Sequence, residues 1–249
     1  MGRIAWIIGG GSGLGAATAR HLARRGWTVA VSGRRTAPLE SLAAEFGAHP
    51  YPLDVTDADA VASVAARIVA DLGGLDMLVY SVATMERLRT GHYDHALYQR
   101  ILDINLLGAM RAIDPVVAHM LAHGGGQIAL VASVAGYFGL PRSAAYSSGK
   151  AAMIALAETM RTELARDGIG VRLISPGFVK TDFTTKNDFP MPFLMETDDA
   201  GRRIVAGLLE SNRFEIAFPR RFVVILKLLR MLPYPLFFAI MKRLLPRDH

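Results

Sequence analysis

Two rhythms of apolar and polar positions alternate along this chain. Short, uninterrupted apolar runs recur, each closed by glycine, proline or a charged turn. The first, Ile4–Ile8, runs into Gly9-Gly10-Gly11 and predicts a buried strand. Similar runs predict strands over 28–32, 51–53, 75–80, 127–132 and 171–175, and over Glu215–Phe218. Between them the apolar positions take helical spacing, over 14–25, 39–46, 61–72, about 93–123, 144–166 and a stretch containing 204–209. The long stretch 93–123 is expected to break or bend near Pro115.

Strands that alternate with helices of ten or more residues build a parallel sheet covered on both faces. Residues 1–218 therefore predict one α/β, doubly wound domain on a mostly parallel, seven-stranded sheet. Residues 219–249 form a different region, an apolar and basic tail read as two short helices hinged at Pro233-Tyr234-Pro235.

Composition narrows this picture. A chain of 249 residues, 51% hydrophobic, buries a full core and excludes disorder as its main state. Without cysteine there is no disulfide, no thiolate metal site and no cysteine nucleophile. The net charge of +6 lies entirely in the tail, which holds seven Lys/Arg and one acidic residue, while 1–218 balance. That distribution, together with the tail's apolar content, argues against nucleic acid. The longest uncharged apolar stretch of the tail, 231–241, has 11 residues and two prolines, too short to span a bilayer. The N-terminal apolar run is too short for a signal peptide. The expectation is a cytoplasmic protein, peripherally membrane-associated: an apolar side with basic flanks suits an anionic membrane surface through residues 220–249. Docking of the same segment on the protein's own body or on a partner copy is the alternative.

Chemistry concentrates at a few places. The loop Gly9-Gly10-Gly11-Ser12-Gly13-Leu14-Gly15 joins a strand to a helix, where glycines admit a pyrophosphate to the helix N-terminus. Its spacing is Gly-x-x-x-Gly-x-Gly. After the second strand an NAD-binding chain places an acidic residue for the ribose 2′-hydroxyl; here Arg34 and Arg35 stand instead, suited to a 2′-phosphate. NADP(H) is thus expected over NAD(H). Tyr146 and Lys150 lie one helical turn apart, on one face. An ammonium beside a phenol favours phenolate and makes the pair an acid–base device for a carbonyl or alcohol. His119/His123 and His92/His95 read as surface residues, and no metal is required.

With these motifs in order, the chain resembles the short-chain dehydrogenase/reductase family over residues 3–218, a Rossmann-type fold. The resemblance implies a catalytic set of Asn105, Ser133, Tyr146 and Lys150. It also implies contact of Asp54-Val55 with the adenine, and of Pro176-Gly177-Phe178-Val179-Lys180-Thr181 with the nicotinamide carboxamide. In the implied mechanism NADPH delivers hydride to a carbonyl carbon. Ser133 holds the carbonyl oxygen, Tyr146 protonates it, Lys150 lowers the tyrosine pKa and binds the ribose, and Asn105 holds a water. Two positions depart from the family pattern. Ile8 replaces a threonine, and Tyr80-Ser81-Val82-Ala83 replaces Asn-Asn-Ala-Gly, leaving Val82 and Ala83 to offer backbone groups. A homo-oligomer is implied by the resemblance alone.

The stretch after the sixth strand carries Phe183, Phe189, Met191, Phe193, Leu194 and Met195, which suits a hydrophobic substrate or simple packing on the body. The combined expectation is an NADP(H)-dependent oxidoreductase interconverting a carbonyl and a secondary alcohol on a lipid-like substrate. The alternative is a membrane-anchored NADP(H)-binding sensor or scaffold without turnover.

Overall fold

The computed structural model describes residues 2–87, 90–185 and 189–243. Its sheet has seven strands, all parallel: β1 Ile4–Ile8, β2 Thr28–Gly33, β3 His49–Pro52, β4 Met77–Tyr80, β5 Gly126–Val131, β6 Ile169–Pro176 and β7 Glu215–Phe218, in the order β3-β2-β1-β4-β5-β6-β7. The helices are α1 Gly13–Ala23, α2 Thr36–Phe46, α3 Ala58–Leu72, α4 His95–Leu102, α5 Gly108–Ala122, α6 Ala144–Glu163, α7 Thr197–Glu210, α8 Arg220–Arg230 and α9 Tyr234–Arg243.

Strand β1 shows why the apolar runs are unbroken. Ile4, Trp6 and Ile8 enter one core and Ala5 and Ile7 the other, so every position is buried. The first core is closed by α3, α5 and α6, the second by α1, α2 and α7. Trp6 is fully buried, and its indole N–H donates to Ser32 Oγ of β2 at 2.9 Å, which satisfies its one polar atom. Order reverses between β1 and β4, opening a crevice at the carboxyl ends of the strands.

The interruption of the long helical stretch lies elsewhere than expected. α5 runs through Pro115, held by the buried Ala112, Val116 and Met120 on either side. The departure is a π-helical turn at Asp103–Leu107, where the Gly108 N–H reaches back five residues to the Asp103 carbonyl. Distant partners set it there. The Tyr80 hydroxyl donates to the Ile104 carbonyl at 2.6 Å, and the Asn105 amide bridges both backbone groups of Thr84, at 2.7 and 2.8 Å. The tail forms two helices separated at the proline hinge, as the sequence suggests.

Candidate active site

The glycine loop leaves β1 and becomes the first turn of α1. Gly9 has φ +87° and Gly13 φ +52°, conformations that favour glycine. A Cβ on Gly15 would stand 2.1 Å from the Gly9 carbonyl oxygen, so this glycine presses helix against loop. Gly9, Gly11, Ser12, Gly13 and Leu14 line a crevice cavity of about 1650 Å³, while Gly15 lies behind them. Arg34 and Arg35, where β2 gives way to α2, line its far end. Both are exposed, and neither makes a hydrogen bond or ion pair among the described residues. Asp54 and Val55 form the adjoining wall. The Thr56 N–H, bonded to the Asp54 carboxylate at 3.0 Å, holds its pKa below the usual range despite partial burial.

Three of the four expected catalytic side chains, Ser133, Tyr146 and Lys150, line this cavity. Ser133 follows β5 and caps a short 3₁₀ turn, its hydroxyl accepting from the Ala135 N–H at 3.1 Å. Tyr146 and Lys150 lie on α6; both line the cavity and are buried. The Lys150 ammonium stands 5.8 Å from the Tyr146 ring centre and donates to the Val131 carbonyl at 2.7 Å. Burial dominates both groups. It pushes the phenol up to about 12, partly opposed by the Ser133 hydroxyl, and pushes the lysine down to about 7. The phenol is therefore protonated at neutral pH. The sequence expectation is a tyrosine pKa lowered by the lysine; burial instead raises it.

Val82, Ala83, Pro176, Gly177, Val179 and Thr181 also line the cavity. Asn105 does not: it is wholly buried, and its amide is committed to Thr84. It thus fixes the segment leaving β4 against the π turn.

The short chain dehydrogenase family model matches residues 3–190. An uncharacterized oxidoreductase of Myxococcus xanthus is 37% identical over 247 residues, covering 97% of each chain, so most of the tail falls within the match. Another uncharacterized oxidoreductase, from Staphylococcus haemolyticus, is 31% identical over 86% of this chain and 94% of its own. The chain belongs to the short-chain dehydrogenase family. A crystal structure of a short-chain dehydrogenase from Streptomyces avermitilis shares the fold, with a TM-score of 0.82, 24% identity and coverage of 91% of this chain and 92% of that one.

Members of this family bind a nicotinamide cofactor, and the residues here fit one: positive-φ glycines at a helix start, an open crevice, and exposed arginines lining it. The family departure at Tyr80 is absorbed locally. A Cβ on Gly108 would stand 2.4 Å from the Tyr80 hydroxyl oxygen, so a glycine at 108 makes room for the phenol that ties β4 to the π turn.

The substrate side of this short-chain dehydrogenase contains residues that sequence reasoning did not place there. Phe222, Leu226 and Leu229 of α8 line the cavity, as do Leu232 and Met241. Their spacing of four and three marks one helix face, a signal legible in the sequence. The Phe222 ring lies 5.7 Å from that of Phe178 and 5.8 Å from that of Phe193. Phe237 of α9 meets Phe138 edge to face at 5.2 Å. Lys227 pairs with Glu215 of β7, which also accepts from the Tyr137 hydroxyl at 2.6 Å. One face of the tail is therefore docked on its own body. Of the apolar loop, Phe183 and Phe189 line the cavity, and the Phe183 ring lies 5.8 Å from that of Tyr146. Phe193 and Leu194 are exposed, and Met195 is buried in the body. Arg247 of the tail lies outside the described residues.

Proposed function

We propose that this chain is an NADP(H)-dependent oxidoreductase that interconverts a carbonyl and a secondary alcohol on a hydrophobic, lipid-like substrate. One observation carries the reading. A single cavity joins the unpaired Arg34 and Arg35, the Ser133/Tyr146/Lys150 cluster and an apolar roof of Phe183, Phe189 and Phe222. Its volume exceeds the roughly 300–1,000 Å³ of an ordinary small-molecule site, which suits a dinucleotide and a substrate together.

Gly9–Gly15 and the α1 N-terminus would hold the pyrophosphate, Arg34 and Arg35 the 2′-phosphate, and Pro176–Thr181 the nicotinamide end. When bound, the cofactor supplies or takes the hydride at the reacting carbon. The Ser133 hydroxyl donates to the carbonyl oxygen and orients it. Tyr146, protonated at neutral pH, gives its phenolic proton to that oxygen as negative charge develops there. Lys150, held by the Val131 carbonyl, supports the phenolate that remains. Asn105 keeps the β4 edge and the π turn in register beneath the site. The apolar roof excludes water, which strengthens each of these polar contacts.

The test is NADPH consumption by the purified protein across a panel of hydrophobic ketones, with NADH as comparison. Turnover with NADPH preferred is expected. NADPH binding with no turnover on any ketone or alcohol would favour the sensor alternative, and a preference for NADH would defeat the cofactor assignment.

A further inference from the structure

Two helices that roof the cavity also carry the chain's whole surplus of positive charge and most of its exposed apolar surface. Eight of the fourteen exposed large hydrophobic residues among the described residues belong to the stretch from Val224 to Ile240. On α8 the inner face, Phe222, Val223 and Leu226, is packed or lines the cavity. The outer ridge runs Arg221, Val224, Leu228, Met231. On α9, Phe237 and Met241 are buried, while Leu236 and Phe238 face out. Met231 is 78% exposed, Leu228 58%, Leu236 57% and Phe238 53%. Among the described residues nothing covers this ridge.

Cations rim it. Arg220, Arg221, Arg230, Lys242 and Arg243 are exposed, and no carboxylate pairs with any of them among the described residues. Of the described cations of the tail, Lys227 alone is neutralised, by Glu215. A partner for such a face must offer apolar depth and negative charge together. A second copy docking through the same face would set one basic tail against another. A nucleic acid would meet the charge but leave the apolar ridge exposed. No helix among the described residues is long and apolar enough to cross a membrane, so the face suits lying on one.

We infer that the outer face of α8 and α9 seats on an anionic lipid surface and presents the mouth of the cavity to it. Ile225, Leu228 and Ile240 support the second half of this statement: each lines the cavity and is also exposed, so the cavity opens where the apolar ridge begins. A hydrophobic carbonyl dissolved in the bilayer would reach Tyr146 along an apolar path, past Phe222 and Phe183. This part rests on the lipid-like substrate proposed above; the seating itself does not.

The experiment is co-sedimentation of the full chain with vesicles of phosphatidylcholine alone and of phosphatidylcholine with phosphatidylglycerol, at low and high salt. Tighter binding to the anionic vesicles, by at least tenfold and weakened by salt, is expected. A variant with Met231→Gln, Leu236→Gln and Phe238→Gln, and a second with Arg221→Gln, Lys242→Gln and Arg243→Gln, should each lose tenfold or more. All six side chains are exposed, so thermal melting should stay as in the unmodified chain. A short water-soluble ketone and a long-chain ketone carried in the vesicles complete the test; both variants should lose turnover of the second alone. Equal sedimentation with both vesicle types, or variants that sediment like the unmodified chain, would overturn the inference. So would concentration-dependent self-association that the apolar variant abolishes, which would assign the face to a second copy. Vesicle binding without turnover of either ketone would leave the seating intact and count against the reaction.

Discussion

The floor and the roof of the cavity are built on different principles. On the floor, several groups are fixed by backbone: Lys150 on the Val131 carbonyl, the Asn105 amide on Thr84, the Ser133 hydroxyl under the Ala135 N–H, and Gly15 pressed on the Gly9 carbonyl. The helices of the roof meet the body through side chains. Phe222 meets Phe178 and Phe193, Phe237 meets Phe138, and Lys227 meets Glu215, while the opposite face of α8 and α9 is open. A floor tied by short, directional bonds to neighbouring strands holds reacting groups in place, as proton transfer and hydride transfer require. A roof of ring contacts adapts to the shape of what lies beneath it. The floor should therefore govern chemistry for every substrate, and the roof should govern which substrates are preferred.

The largest expected effect is on the floor. Tyr146→Phe keeps the ring but removes the transferable proton. Turnover should fall by roughly 10²–10⁴ for short and long carbonyls alike, with NADPH affinity retained. Steady-state kinetics alongside a fluorescence titration of NADPH would check it. A loss confined to long substrates would erase the distinction between the two regions.

A pH profile should show the next largest effect. Burial holds Lys150 at about 7 and keeps Tyr146 protonated to about 12. Below pH 7 both protons are present. As pH rises through 7 the ammonium is lost first, so kcat/KM for NADPH in carbonyl reduction should fall, approaching about tenfold per unit once well above it. A profile flat to pH 9 would place the lysine outside the free enzyme's essential groups.

Substituting Arg34→Ala and Arg35→Ala together tests the far end of the floor. Charge-assisted bonds to a phosphate contribute roughly 1.5–3 kcal/mol each, so NADPH should bind more than about tenfold more weakly while NADH changes little. Equal losses for the two cofactors in calorimetry would remove the arginines from the discrimination.

The smallest of these effects belongs to the roof. Phe222→Ala removes one ring packed on Phe178 and Phe193, contacts of roughly 0.5–1.5 kcal/mol each. KM for a long-chain carbonyl should rise roughly two- to tenfold while a short one is turned over as before. If the short substrate suffers as much, α8 positions the reacting groups after all.

The two regions were also unequally legible in the sequence. Strand runs, the glycine loop and the four-residue step from Tyr146 to Lys150 are local patterns, and local geometry turns them directly into structure. The π turn was not legible. Pro115 is the visible helix breaker, yet the departure at Asp103–Leu107 is set by Tyr80 and Asn105 reaching across to groups more than twenty residues away. Asn105 shows the same limit in the site: its residue type is visible in the sequence, but the bonds of its amide to Thr84, 21 residues away, are not. The rise of the phenol pKa was not legible either, since it comes from burial that only the folded cavity creates. The tail's apolar and basic composition was plain, whereas the docking of Phe222 against Gly177 and Phe178 depends on a surface that only the folded sheet creates.

The most direct test of a fixed floor beneath an adaptable apolar roof is a homologous series of ketones of increasing chain length, assayed for kcat/KM at saturating NADPH. Each methylene buried under the roof contributes at most about 0.8 kcal/mol, so kcat/KM should climb by up to roughly fourfold per methylene until the cavity is filled, with kcat nearly constant. A kcat/KM that stays flat or falls with chain length would contradict the account.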